Sequence, residues 1–405
     1  MKKYLVASTA IISALIAMPA HAELNLDLGG HFRGYGVYSN NDAPNLQEFD
    51  LRRDTEVHFT GEATSDNGLT VGVHYEAMVG GTLLTDEAYA YAAGNWGRVN
   101  FGSEDGAAYL LQVAAPSADS NVDGLRTGIQ AIGSPVIGAN IFGAGGSFDL
   151  VNAITNGTAP NGYTGVLSPA FGTDINTVTG NLTLDYDHAD FQDTDRITYL
   201  TPKFSGFQAG VSYAPQAGQK VIGNGLAQPA ADNQAGQFDD LWEVAARWDG
   251  EFEGFGLSAG AGYSTASLQA VTPVGNTGFT DDLDTWNVGL NVAFQGFSVG
   301  GSYLDSSTKV DDGATAGGVD LDTATWVIGA AWDNGPYHVG ASYLDQTIET
   351  QGAADLDADR WTIGAGYTYG PGMSFRGALA NGNVDDNAGT DDDFTQVTIG
   401  TDIQF

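Results

Sequence analysis

The chain is long and strongly acidic, with 405 residues, 50 Asp and Glu against 14 Lys and Arg, and a formal net charge of −36. This balance argues against a nucleic-acid partner, because phosphate binding relies on Lys and Arg. The absence of cysteine excludes disulfides and thiolate metal sites. The 17 Tyr, 19 Phe and 7 Trp are too many aromatic residues for an intrinsically disordered chain.

Residues 1–22 have the pattern of a secretory signal peptide. Lys2 and Lys3 precede an apolar run from about Leu5 to Met18, and Ala20-His21-Ala22 forms the small-x-small site after which a signal peptidase cuts. A membrane anchor needs about 20 consecutive apolar residues, and this run is shorter. We therefore expect a mature chain that begins at Glu23 and has 12 basic and 50 acidic residues, hence a net charge of −38.

The mature chain alternates apolar and polar residues with a period of two, which is typical of β-strands. Residues 285–294 show this alternation, turn at Gln295-Gly296 and return as residues 297–303. Two further hairpins turn at Asn334-Gly335-Pro336 and at Gly370-Pro371-Gly372. Sixteen strands are predicted in this way: 24–38, 47–62, 68–79, 84–93, 95–102, 193–203, 206–215, 238–250, 253–265, 282–294, 297–305, 321–333, 337–347, 357–369, 373–381 and 393–405.

Aromatic residues at both ends of the apolar face indicate that these strands cross a membrane. Trp286 and Phe294 lie on one face of a strand, and their spacing gives a rise of roughly 20 Å, close to the apolar band of about 25 Å in membrane barrels. The opposite face carries Asn, Gly, Thr, Ser and Ala, as a wet interior requires. A soluble β-sandwich is the alternative, but it would place its aromatic residues inward. The prediction is an all-β, sixteen-stranded antiparallel transmembrane barrel over residues 23–405, with both termini on the periplasmic side.

Residues 103–192 interrupt the strand pattern after the fifth strand and contain no clean strand pair. Insertions of this length inside a compact fold are usually functional. We therefore expect residues 103–192 to form a long third extracellular loop.

Two short motifs resemble those of general Gram-negative porins. In residues 195–213 an Arg-containing strand runs into Thr201-Pro202-Lys203-Phe204-Ser205-Gly206-Phe207, which resembles the Ser/Thr-Pro-x-Phe-x-Gly-Phe hairpin of that family. Residues 94–102 look like its fifth strand, and Phe405 is similar to the terminal aromatic that the barrel assembly machinery recognises. The resemblance implies a homotrimer in outer-membrane lipid and lipopolysaccharide that passes small hydrophilic solutes by diffusion. It also implies that the third loop folds into the lumen and narrows it.

Strand parity assigns six arginines to the lumen: Arg33, Arg52, Arg98, Arg196, Arg247 and Arg376. Inward placement is expected of any strand Arg, since a charge facing lipid costs about 2 to 4 kcal/mol at the midplane. The sharper hypothesis is a basic wall formed by Arg33, Arg52, Arg98 and Arg376. It would face acidic residues of the third loop, as the resemblance implies: Glu104, Asp105, Asp119 and Asp123. Solvated lumen charges without a special effect are the alternative.

The acidic excess predicts a mild preference for cations, because it raises the cation concentration at the pore mouth. Asp311-Asp312 and Asp391-Asp392-Asp393 fall in outer loops, where Ca²⁺ or a divalent bridge to lipopolysaccharide is conceivable. They lack the spacing of a defined Ca²⁺ loop, so plain solvated charge is the favoured interpretation and no cofactor is predicted.

An enzyme is disfavoured by the absence of catalytic motifs. The histidines outside the leader are scattered, without His-x-x-x-His or Gly-x-Ser-x-Gly patterns: His31, His58, His74, His188 and His338. Two other functions stay open, a substrate-specific channel and an adhesive or structural barrel with a plugged lumen. Single-channel conductance separates them, because it is unsaturating in a general porin, saturable in a specific channel and near zero in a plugged barrel.

Overall fold

The computed structural model describes residues 24–41, 48–79, 83–116, 184, 186–188, 191–217, 237–269, 279–310, 318–352, 354–385, 387 and 391–405. The strands are β1 (Leu24–Asn41), β2 (Phe49–Thr64), β3 (Thr70–Val79), β4 (Leu83–Gly94), β5 (Gly97–Glu104), β6 (Thr194–Leu200), β7 (Phe207–Gln216), β8 (Phe238–Phe252), β9 (Phe255–Leu268), β10 (Leu283–Phe294), β11 (Phe297–Val310), β12 (Val319–Asn334), β13 (Tyr337–Thr350), β14 (Leu356–Gly370), β15 (Met373–Asp385) and β16 (Asp391–Gln404). A short helix, α1 (Ala107–Leu110), follows β5. Among the described residues, none of the helices is long and apolar enough to span a membrane.

The sixteen strands form one closed antiparallel barrel, which confirms the predicted fold class. Each strand pairs with its neighbours in sequence, and β1 pairs with β16 from His31 opposite Gln404 to Asn41 opposite Phe394. Closure gives the strand N–H and C=O groups partners within the sheet, as a lipid environment demands.

Several strands extend beyond their predicted ends on the long-loop side. β11 was expected to end at residue 305, yet it continues to Val310, which pairs with Val319 of β12. The strands therefore stay paired beyond the point at which their outward residues cease to be apolar.

The short connections all lie at the end of the barrel that holds both termini. Their backbone angles explain why glycine occurs in them. Gln295 and Gly296 have φ angles of 50° and 84°, the left-handed values of a tight two-residue hairpin. A Cβ on Gly296 would also collide with the carbonyl oxygen of Asp333. Glycine at this position is thus required by both the backbone angle and the neighbouring strand.

Two rows of aromatic side chains encircle the outside. The row toward the long loops includes the Trp286–Tyr303 and Trp326–Tyr343 pairs, with ring centroids 4.9 and 5.3 Å apart. The row toward the short turns includes Phe255–Phe294 at 4.5 Å. Exposed aliphatic side chains fill the band between them: Val288, Leu290, Ile328, Val339 and Ile363. Trp286 and Phe294 belong to opposite rows, which is the girdle arrangement of a membrane barrel.

The interior is not polar throughout. Near the long loops, inward side chains of the later strands form an apolar cluster that includes Leu283, Leu304, Leu344 and Phe394, and Tyr186 from the end of the third loop packs into it. The expectation of a wet inner face therefore does not extend to this part of the barrel. Leu184 and Tyr186, two described residues of the third loop, belong to this cluster and exclude water from the wall that they contact.

Candidate functional site

The first residues after β5 enter the barrel and pack on its inner wall. Residues 107–116, named here the inner segment, begin with α1, where the Ala107 N–H donates to Ser212 Oγ at 2.8 Å and the Ala108 N–H donates to Glu243 Oε2 at 3.1 Å. Ser212 and Glu243 lie on β7 and β8, on the face opposite the exposed Trp242. The inner segment thus lies inside the barrel.

Glycines on the inner wall allow this close approach. A Cβ on Gly289 would collide with the carbonyl oxygen of Val113, and one on Gly329 would collide with that of Pro116. A Cβ on Gly260 would lie only 3.0 Å from the carbonyl oxygen of Leu111. At these three glycines the inner segment therefore rests directly on the backbone of the wall.

The two described ends of the third loop bind each other. Gln112 Nε2 donates to the Tyr186 carbonyl at 2.7 Å, and the His188 N–H donates to Gln112 Oε1 at 2.8 Å. His188 Nε2 also lies 2.7 Å from Ser264 Oγ of β9. Asp119 and Asp123 lie outside the described residues, so their place in a constriction stays a prediction, as does the path of the loop as a whole.

Arg196 and Arg247, two of the arginines assigned to the lumen, are both engaged with the chain of the third loop. Arg196 is buried in an ion pair with Glu243 and donates to the Phe191 carbonyl. Arg247 binds Asp249 at 2.9 Å and donates to the Gln112 carbonyl at 3.1 Å. The placement of Arg196 differs from that of an open pore-lining charge, because the returning loop covers its guanidinium.

Arg33 and Arg376 converge across the barrel closure. Each lies 3.8 Å from Asp402 Oδ2 on β16, and Arg33 Nη1 also lies 3.3 Å from Asp54 Oδ2 on β2. Arg52 lies nearer the long-loop end, where its Nε is 2.9 Å from Asp50 Oδ2 and its side chain is well exposed. These three members of the predicted basic wall are thus close in the barrel, but each is matched by a carboxylate.

Arg98 occupies a separate part of the wall, beyond β3 and β4. Its guanidinium lies 4.0 Å from the centre of the Tyr91 ring, and its Nε donates to Asn100 Oδ1 at 2.6 Å. Asn100 Nδ2 in turn donates to both oxygens of Glu104 at 2.7 and 2.6 Å. Glu104 is therefore bridged to Arg98 along one strand instead of facing it across the pore, because β5 continues to Glu104.

Asp105 belongs to an acidic group that the sequence did not indicate. One carboxylate oxygen from each of Asp105, Glu87 and Asp193 lies within 4.8 Å of the other two. Of the acidic residues predicted in outer loops, Asp311 and Asp312 lie outside the described residues. The loop prediction was wrong for Asp391, Asp392 and Asp393, because β16 begins at Asp391 and pairs there with β15. Asp391 and Asp393 both accept hydrogen bonds from Asn383 Nδ2.

Histidines and glutamates alternate along the inner faces of β1, β2 and β3. His31, Glu56, His58, Glu76 and His74 form this row, named here the histidine ladder. The ring centroids of His31 and His58 are 5.9 Å apart, and those of His58 and His74 are 6.0 Å apart. The spacing of these histidines in the sequence shows no motif, and only strand pairing brings them together.

A family model described as Gram-negative porin matches residues 7–388 of the chain. The chain belongs to the Gram-negative porin family. It is therefore an outer-membrane β-barrel channel for passive diffusion, and not an enzyme.

Solved porins share the fold at low sequence identity. An anion-selective porin from Comamonas acidovorans is 18% identical, with a TM-score of 0.59 over 95% of this chain and 100% of that one. OmpT of Vibrio cholerae in its trimer form is 11% identical, with a TM-score of 0.54 over 94% and 99%. Salmonella typhi OmpF in complex with daunomycin is 16% identical, with a TM-score of 0.54 over 94% and 97%. No curated protein matches the chain significantly.

Proposed function

We propose that this porin is a general diffusion channel with a mild preference for cations. The observation that carries the proposal is the local neutralisation of inward arginines. Arg33 and Arg376 share Asp402, Arg196 pairs with Glu243, and Arg247 binds Asp249. Because each of these arginines is paired with a carboxylate, they do little to offset the acidic excess of the chain. Fixed negative charge raises the concentration of cations in a pore.

The anion selectivity named for the Comamonas porin belongs to that protein. At 18% identity the likeness concerns the fold, whereas selectivity depends on the particular charges along the pore. The test is the reversal potential of the purified porin in a planar bilayer under a KCl gradient. A potential of the sign set by K⁺ is expected, and a potential set by Cl⁻ would overturn the cation preference.

General diffusion is tested separately from ion preference. Single-channel conductance is expected to rise in proportion to KCl concentration, and small sugars are expected to enter porin-containing liposomes without saturation. Saturation by one solute would identify a specific channel, and a conductance near zero would identify a plugged barrel.

The proposal includes export, assembly and oligomeric state. We expect cleavage after Ala22 and contact with lipid and lipopolysaccharide. We also expect a homotrimer, since the similar OmpT of Vibrio cholerae has a trimer form. Phe405 suits recognition by the barrel assembly machinery, because its backbone pairs with Gly30 while its side chain is 63% exposed. Amino-terminal sequencing should give Glu23, and chemical crosslinking of unheated protein should give trimers.

A further inference from the structure

We propose that the histidine ladder binds a divalent transition-metal ion of the zinc class in the wall of the pore. The inference adds a binding site to the channel and does not depend on its ion preference.

Strand register builds the site. β1 and β2 pair with His31 opposite Glu56, and β2 and β3 pair with His58 opposite Glu76. His74 lies two residues before Glu76 on β3, and thus on the same side of that strand. All five side chains therefore project from one continuous patch of the inner wall.

The distances divide the ladder into two sets of ligands. In the first set, Glu56 Oε2 lies 3.1 Å from His58 Nε2 and 3.7 Å from His31 Nδ1. In the second set, Glu76 Oε1 lies 3.5 Å from His58 Nδ1 and 2.7 Å from His74 Nε2. Neighbouring ligands of a tetrahedral zinc ion with bonds of about 2.0 to 2.2 Å lie about 3.3 to 3.6 Å apart. The ligand atoms of each set all lie within 4.8 Å of one another, so modest side-chain movements bring either set to zinc-binding distances.

Each outer histidine is also held by a second partner. The remaining nitrogen of His31, Nε2, lies 3.0 Å from Asp54 Oδ2, and the remaining nitrogen of His74, Nδ1, lies 2.7 Å from Thr60 Oγ1. Zinc-binding histidines generally have such a partner, which fixes the orientation of the ring. Arg33 lies near the first set, and its positive charge would repel a bound metal ion. Asp54 and Asp402 balance that charge.

The ligand chemistry selects the class of metal. Two imidazoles and one carboxylate suit Zn²⁺ and its neighbours, whereas Ca²⁺ and Mg²⁺ prefer ligand sets made only of oxygen. A recess of about 410 Å³, lined by His31, His58 and His74 among others, gives a hydrated ion access from the lumen. Three protein ligands leave a fourth position for water, as in open zinc sites.

His58 is the decisive residue because it belongs to both sets. Binding of Zn²⁺ alone to the folded, detergent-solubilised porin is measured by titration calorimetry, with Ca²⁺ and Mg²⁺ as competitors. We expect one saturable Zn²⁺ per barrel and at least about tenfold weaker binding in His58→Gln. His338→Gln is the matched control, since the His338 side chain is 29% exposed against 30% for His58 and lies outside the ladder.

Unchanged Zn²⁺ binding in His58→Gln would overturn the proposal, as would equal competition by Ca²⁺. If His58→Gln does not fold, as judged by heat-modifiable mobility, the double variant His31→Gln with His74→Gln removes one ligand from each set and takes its place. Wild-type porin that binds Zn²⁺ but conducts no ions would contradict the channel function and leave the metal site standing. Wild-type porin that conducts ions but does not bind Zn²⁺ would contradict the metal site and leave the channel function standing.

Discussion

Neutralising Glu243 should release the inner segment from the wall. Its carboxylate pairs with Arg196 through one oxygen and accepts the Ala108 N–H through the other. Both side chains of the pair are almost fully buried, at 1% and 3% exposure. Glu243→Gln keeps the shape and one acceptor, but it leaves the guanidinium without a countercharge.

The expected cost follows from that burial. Removing one partner of a buried ion pair typically costs about 3 to 5 kcal/mol. Because glutamine keeps one acceptor, we take the lower end, about 3 kcal/mol, which corresponds to roughly a 100-fold change in the equilibrium between docked and released segment. The barrel strands should be unaffected, since their backbone pairing does not involve this pair.

Hydrogen exchange measured by mass spectrometry checks this prediction. Peptides that cover the inner segment should exchange roughly 100-fold faster in Glu243→Gln, while strand peptides stay protected. Glu251→Gln, an exposed position on the same strand, is the control and should change nothing. The double variant Arg196→Met with Glu243→Leu should restore much of the protection, because a buried pair replaced by apolar groups is often neutral. Unchanged exchange in Glu243→Gln would refute an anchoring role for the pair.

Three further changes test the lumen and the outer surface. Asp402→Asn removes the carboxylate shared by Arg33 and Arg376, so the reversal potential in a KCl gradient should move toward anions; no movement would mean that this pair does not act on passing ions. Leu290→Arg places a charge in the exposed apolar band and should cost about 2 to 4 kcal/mol in urea titrations of the porin in vesicles, whereas a cost near zero would argue against contact with lipid. Gly289→Ala adds a methyl group where the inner segment touches the wall and should change single-channel conductance.

The strand count could be predicted because the signals for a hairpin are local. Gln295 and Gly296 indicate a tight turn from their residue types alone, and the alternation on either side needs no information from the rest of the chain. The ends of strands on the long-loop side could not be predicted equally well. In β11, Ser306 and Thr308 still face inward beyond the aromatic row. The outward residues of this stretch do not contact lipid, so they need not be apolar, and the alternation that marks a strand in the sequence is lost.

Strand parity gives an expectation of which side chains face inward, but it carries no information about which of them meet. Arg33 reaches Asp402 only because β1 closes on β16, a pairing between strands that are far apart in the sequence. The histidine ladder was more accessible to prediction. Thr64 pairs with Thr70 across a short turn, and moving six residues away along each strand brings His58 opposite Glu76.

Inward glycines show most clearly why the sequence does not reveal which parts of the inner wall are covered by chain. A glycine facing water and a glycine that receives a segment of chain have the same side chain and the same strand parity. Gly289 and Gly366 both face inward, yet a Cβ on Gly366 would meet only ordinary contacts at 3.6 Å or beyond, whereas one on Gly289 would collide with Val113. Gly366→Ala should therefore leave the conductance unchanged where Gly289→Ala alters it. Equal effects of the two changes would mean that the inner segment does not rest on the wall in the working channel.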